Sequence, residues 1–232
     1  MRRTSLIAAC LGLVAAGVAD QAIAQDRYQK KIEAARQAYL RLFELEDRRV
    51  PERLLADARC IAVLPKVIKG ALIWGGRRGH GVMSCRNDEG VWSPPAFVKL
   101  TGGSFGFQAG GQVTDLVLFF MSERGARSLV KSKFIVGGDV TVAAGPFGRT
   151  AEANTDIRLK AEVYAYARSR GLFAGVSIEG AQLSVYQRWI EGYYGQRIWP
   201  EDILFDHEVP DVPLEARTFM SVLPPPEMAP VP

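Results

Sequence analysis

Gly102-Gly103-Ser104-Phe105-Gly106 fits G-x-S-x-G, the pattern that presents a nucleophilic serine in hydrolases. An acid such as Asp156 and then His207 follow in the chain order that such a triad would use. The elbow, however, needs a strand, a tight turn and a helix starting at the nucleophile. Here Ser104 runs into Phe105-Gly-Phe-Gln-Ala-Gly-Gly111, whose glycines disfavour a helix. A serine hydrolase using Ser104 therefore ranks last among the readings. His80 and His207 are the only histidines, far apart and outside any H-E-x-x-H or C-x-x-C pattern, so no metal is expected. Neither G-x-G-x-x-G nor a Walker motif occurs, which leaves no nucleotide cradle and no cofactor. The pairs Asp88-Glu89 and Glu201-Asp202 sit beside turn formers and read as solvated. No catalytic set is expected, and the chain is read as a non-enzyme.

The residues that remain are cationic and aromatic. From Pro65 to His80 the chain carries Lys66, Lys69, Trp74, Arg77 and Arg78 among Val, Ile, Leu and Gly. Cations beside apolar side chains and a tryptophan suit a membrane interface, with the ring at headgroup depth and the charges on phosphates. Gly75, Gly76 and Gly79 also leave backbone N–H groups open to a phosphate. The plainer account is a buried strand over Ala71–Trp74 followed by a charged turn.

These residues have to be positioned by a mixed set of elements. Asp26 to Arg49 predicts a helix, because Tyr28, Ile32, Ala35, Tyr39, Leu42 and Phe43 recur at three- and four-residue spacing. Cys60–Leu64, Gly81–Cys85, Phe97–Leu100, Ser104–Gln108, Leu116–Met121 and Val163–Ala167 read as short strands divided by Gly, Pro, Asn and Asp. Ser122 is placed to cap a helix through about Lys131. The fold expectation is α+β: a curved, mostly antiparallel sheet, as a sandwich or partial barrel, with an N-terminal amphipathic helix and short packing helices. The organisation is residues 1–24 as a leader, 25–57 as a helical segment, 58–208 as the main domain and 209–232 as a Pro-rich tail without structure.

The leader has Arg2 and Arg3, an apolar run from Leu6 to Ala19, and Ala22-Ile23-Ala24 as an A-x-A site. A lipobox reading of Ile7-Ala8-Ala9-Cys10 has only nine residues before its cysteine. The chain is thus expected to be exported, to a periplasm or outside the cell, with peripheral attachment to an outer membrane as one arrangement. Cleavage takes Arg2 and Arg3 from 29 Lys and Arg, and Asp20 from 25 Asp and Glu, leaving 27 against 24 and a net charge of +3. That balance permits contact with an anionic membrane and gives no reason to expect nucleic acid. Cys60 and Cys85 are the cysteines left, and an oxidising compartment favours a disulfide between them.

Four runs in order, Cys60-Ile-Ala-Val-Leu-Pro65, Gly102-Gly-Ser-Phe-Gly-Phe-Gln108, Asp115-Leu-Val-Leu-Phe-Phe-Met121 and Val136-Gly-Gly-Asp-Val140, resemble the SYLF domain family. The resemblance covers roughly Ala58 to Tyr186 and points to a bacterial exported member. It implies binding of anionic phospholipid or phosphoinositide headgroups without catalysis. It also implies that the helix face of Tyr28, Ile32, Tyr39, Leu42 and Phe43 could lie on a membrane, against the alternative of docking on the core. Actin is a partner of eukaryotic relatives and stays open here, because export removes the chain from its own cytoplasm. The alternative function is an envelope structural or adhesion protein that binds another protein.

Overall fold

The computed structural model describes residues 23–44, 50–71, 74–105, 110–131, 134–135, 141–145, 161–169, 172–175 and 180–225. Residues 1–22 of the expected leader, Asp156, the Val136–Val140 motif and residues 226–232 lie outside them. The strands are β1 (Cys60–Ala71), β2 (Trp74–Cys85), β3 (Ala96–Phe105), β4 (Gly110–Phe120), β5 (Phe134–Ile135), β6 (Val142–Ala144), β7 (Val163–Ser169), β8 (Leu172–Gly175) and β9 (Gln182–Val185). The helices are α1 (23–40, ending in a 3-10 turn over Arg41–Phe43), α2 (Glu52–Asp57), α3 (Glu123–Lys131), α4 (Gln187–Tyr194), α5 (Pro200–Leu204) and α6 (Leu214–Met220).

All nine strands of the described residues join one sheet in the order β5-β9-β3-β2-β1-β4-β7-β6, with β8 also against β7. Among the described residues, only β6 and β7 pair in parallel. The sheet curls into a half-barrel, the partial-barrel form of the α+β expectation.

Its central strands are divided into a buried half and an exposed half. In β1, Cys60 through Leu64 are fully buried, whereas Lys66, Ile68 and Gly70 are exposed. In β4, Leu116 through Phe120 are buried and Gly111 through Val113 are exposed. The continuous apolar runs mark the halves covered on both faces, since a strand with one wet face would alternate. The sequence expectation captured these halves and missed that β1 and β2 run on through the basic stretch.

The division falls at a bulge. Pairing of β1 with β2 slips between Val63 and Ile68, and pairing with β4 slips between Leu64 and Val67. Pro65 supplies no N–H to the ladder, and Lys66 takes a left-handed φ of 55°. The Lys66 amide donates to an Asp115 carboxylate oxygen at 3.0 Å.

At the buried end, Cys60 and Cys85 are direct cross-strand partners and form a disulfide, with Cα atoms 4.0 Å apart. Beside it the buried Arg86 guanidinium donates to the Leu55 and Ala56 carbonyls at 3.0 Å each, satisfying the end of α2.

Two expectations need correction. The helix starting near Asp26 gives up α-helical form after residue 40. The Pro-rich tail is folded through residue 225: Ala216 and Phe219 are 0% exposed, and Trp92 Nε1 donates to the Pro224 carbonyl at 2.7 Å. Ala216, Phe219 and Leu223 recur at helical spacing between the prolines. Pro213 precedes the helix and does not interrupt it.

Candidate functional site

The exposed half of the sheet carries the cations, and strand pairing decides which of them meet. Directly paired residues of an antiparallel ladder share a face. Arg78 pairs with Ile68, and Arg77 pairs with Lys69 one position on, so the two arginines lie on opposite faces. Lys66, Lys69, Arg77 and Arg78 therefore do not form one patch. Trp74 pairs with Phe105 at the outer end of β2. The expected charged turn after Trp74 is a strand.

The face of Arg78 is the richer one. His80 lies two residues along β2 on that face and pairs with Lys99. Its ring stacks on Tyr186 at 5.3 Å and on Trp189 at 5.1 Å. Lys99 Nζ stands 5.3 Å from the Tyr186 ring centre, and the Arg27 guanidinium lies 5.3 Å over Trp189. Burial, then repulsion from Lys31, Arg78 and Lys99, pushes His80 below its ordinary value of 6.5. Burial, then the neighbouring Lys66, likewise lowers Lys31, against an opposing pull from Asp115. Among the described residues, none of Lys31, Lys66, Arg78 or Lys99 has a carboxylate within ion-pair distance. Asp115 is engaged by Arg41 at 3.6 Å and by the Lys66 amide. The site gathers these cations about the His80 imidazole, with Asp26 and Asp115 bordering it beside Lys66.

Helix α1 completes it. A groove of about 560 Å³ runs between α1 and the bulge, lined by Asp26, Arg27, Lys30, Lys31, Pro65 and Lys66. Helix α1 is held down by Tyr28, whose ring meets Phe97 at 5.7 Å and Trp189 at 5.5 Å. Gly192 of α4 makes that seat possible, because a Cβ there would stand 2.3 Å from the Tyr28 hydroxyl. The helix face expected on a membrane is spent on this core: Tyr28, Ile32, Tyr39 and Leu42 are at most 5% exposed, with Phe43 partly buried against them. The docking alternative holds, and the face is not available to lipid in this fold.

Lys31, His80 and Lys99 were missed as site residues. Lys31 sits on the polar side of the helical pattern, and Lys99 is a lone cation in an apolar strand. The pairing of His80 with Lys99 and the docking of α1, neither of which sequence spacing reveals, bring them together.

The hydrolase reading has no geometry. Ser104 pairs with Gly75 inside the ladder, whereas His207 hydrogen-bonds to the Cys85 backbone. Gly75 and Cys85 are ten residues apart along β2, which is about 33 Å of strand. Among the described residues, no group of three or more His, Cys, Asp or Glu side chains could hold a metal ion. No helix among them is long and apolar enough to cross a membrane.

Residues 101–224 match the family model described as Ysc84, a Las17-binding protein actin regulator. The chain is similar to the SH3 domain-containing YSC84-like protein 1 of Rattus norvegicus, 37% identical over 76% of this chain and 52% of that protein. The Homo sapiens protein of the same name is 38% identical over 68% of this chain and 46% of its own length. Protein YSC84 of Saccharomyces cerevisiae is 35% identical over 68% of this chain and 34% of its own length. The chain thus spans about half, or less, of the curated relatives it matches.

Proposed function

The chain belongs to the Ysc84 family of SYLF-domain proteins, and on that premise we propose that it binds anionic phospholipid headgroups at a membrane surface without catalysis. The observation that carries this reading is the set Lys31, Lys66, Arg78 and Lys99 gathered about His80, none of them, among the described residues, with a carboxylate within ion-pair distance. Each Lys or Arg near an anionic surface contributes about 1 kcal/mol, so the four together supply about 4 kcal/mol at low salt. In the cell this face meets the outer leaflet of the inner membrane or the inner leaflet of the outer membrane, after export by the leader. Phosphoinositides present the same phosphate chemistry to the same cations.

The test is sedimentation with phosphatidylcholine vesicles, with and without phosphatidylglycerol. The expected result is binding only where phosphatidylglycerol is present, weakened at least about tenfold by Lys66→Glu with Arg78→Glu at low salt, with the loss shrinking as salt rises. Lys69→Glu, on the opposite face, is expected to change binding less. Equal binding of the double reversal and the parent chain at low salt would sink the proposal.

The family description, which names a Las17-binding actin regulator, supports a second reading in which the same cationic face takes an acidic protein. Co-sedimentation with filamentous actin, run beside the vesicles, separates the two.

A further inference from the structure

One transverse row crosses six adjacent strands: Ile135, Gln182, Thr101, Arg78, Ile68 and Val113 are successive partners. Ile68 and Val113 pair directly with each other and are 58% and 57% exposed. Two β-branched side chains left in water side by side, on strands whose other halves are buried, are unusual company for Arg78.

The next row outward on that face is Gly103, Gly76, Gly70 and Gly111, in register on four strands. Glycine inside a strand weakens it and is normally explained by a left-handed φ or by crowding. Neither holds here. None of the four is among the glycines with positive φ, and a Cβ on any of them would meet nothing within 4 Å. What the row does accomplish is a strip of bare backbone beside Ile68 and Val113, so that row contributes no side chain to shield the pair.

Resting on the anionic-membrane reading above, we infer that this ledge is an insertion lip. Ile68 and Val113 enter the boundary between headgroups and acyl chains, while Lys66 and Arg78 stay at the phosphates. The occupant follows from the mixture of chemistries. Unpaired cations call for anions, and a soluble polyanion would satisfy them while leaving the adjoining apolar pair and glycine strip wet. An anionic bilayer presents phosphate and hydrocarbon at adjacent depths.

The experiment measures affinity for phosphatidylglycerol–phosphatidylcholine vesicles at two salt concentrations. Apolar insertion is not screened, so Ile68→Ser with Val113→Ser should weaken binding about tenfold or more by the same factor at both salts. The Lys66→Glu, Arg78→Glu variant should lose a factor that shrinks with salt. Ile68→Leu with Val113→Leu should stay within about twofold of the parent chain, since transferable apolar area is preserved. Thermal melts accompany each variant, and the exposed positions predict melts close to the parent's. If the parent chain binds and the serine pair binds equally well, the insertion lip is wrong and the anionic-surface reading survives. If the parent chain ignores these vesicles at low salt, both fall. A matching loss of affinity for soluble polyphosphate in the serine pair would also overturn insertion.

Discussion

The main-chain amide of Lys66 donates to the Asp115 carboxylate across 3.0 Å, and this contact closes the bulge that divides the buried from the exposed half of the sheet. Asp115 reaches at the same time to Arg41 at the end of α1, at 3.6 Å. The bulge has a consequence for side-chain direction. Val63 pairs with Val82 and Ile68 pairs with Arg78, so the extra residue between them places Val63 and Ile68 on one face, where an unbroken strand would have opposed them. The exposed row with Arg78 exists because of it.

Lys66 holds a left-handed φ that a residue with a Cβ adopts at a cost. Lys66→Gly should therefore raise stability by about 0.5–1 kcal/mol, after allowing for the greater freedom of glycine in the unfolded chain. It should also weaken binding to acidic vesicles, because one cation of the cluster is gone. Denaturant unfolding and vesicle sedimentation on the same preparation check the two opposed effects. A destabilised variant would show that the Lys66 side chain packs more than its exposure indicates.

Cys60 and Cys85 close a loop with a sequence separation of 25. Replacing both by Ala should cost about 3 kcal/mol by the loop-entropy estimate, read from the denaturant midpoint at constant slope. Thiol labelling of the unreduced, denatured protein should find neither cysteine free.

Acid should destabilise the fold above the range where carboxylates matter. His80 is held below its ordinary value by burial and then by Lys31, Arg78 and Lys99, and His207 is lowered by burial against Asp206 and the Cys85 backbone. The unfolded chain then binds more protons than the folded one from the ordinary value of 6.5 downward. Stability is complete above that value and is lost as pH falls through it towards the folded values. Glu33, kept at about 2 by hydrogen bonds from Arg36 and Gln37, responds only below its ordinary 4.5. Thermal melts should accordingly fall as pH drops below the ordinary value of 6.5, and His80→Gln should flatten that part of the profile. An unchanged slope in that variant would remove His80 from the account.

Phe219 is fully buried in the segment that reads as a tail. Phe219→Ala should cost about 3–5 kcal/mol, and removal of everything after residue 208 should leave Trp92 Nε1 without its Pro224 acceptor. Chemical denaturation measures the first. The truncated chain should show lower melting and faster proteolysis than the parent chain.

Where burial is a local property, the sequence was sufficient. Cys60–Leu64 and Leu116–Phe120 are continuous apolar runs because both of their faces are covered, and the pattern says so before any pairing is known. Tyr28, Ile32, Tyr39 and Leu42 keep a helical period because one face of α1 is dry, although the period could not say whether core or lipid dries it. Pairing decided the rest. A single extra residue at Lys66 sets which side chains share a face, and strand register brings Lys99 to His80 and Val113 to Ile68 from distant parts of the chain. Arg77 and Arg78, adjacent in sequence, are parted by the alternation of one strand. Ala216 and Phe219 were hidden among prolines whose composition suggests solvent, and only the core they close shows them buried. Local pattern fixes which segments must be covered, but contacts between cations depend on register, which is a property of the whole sheet.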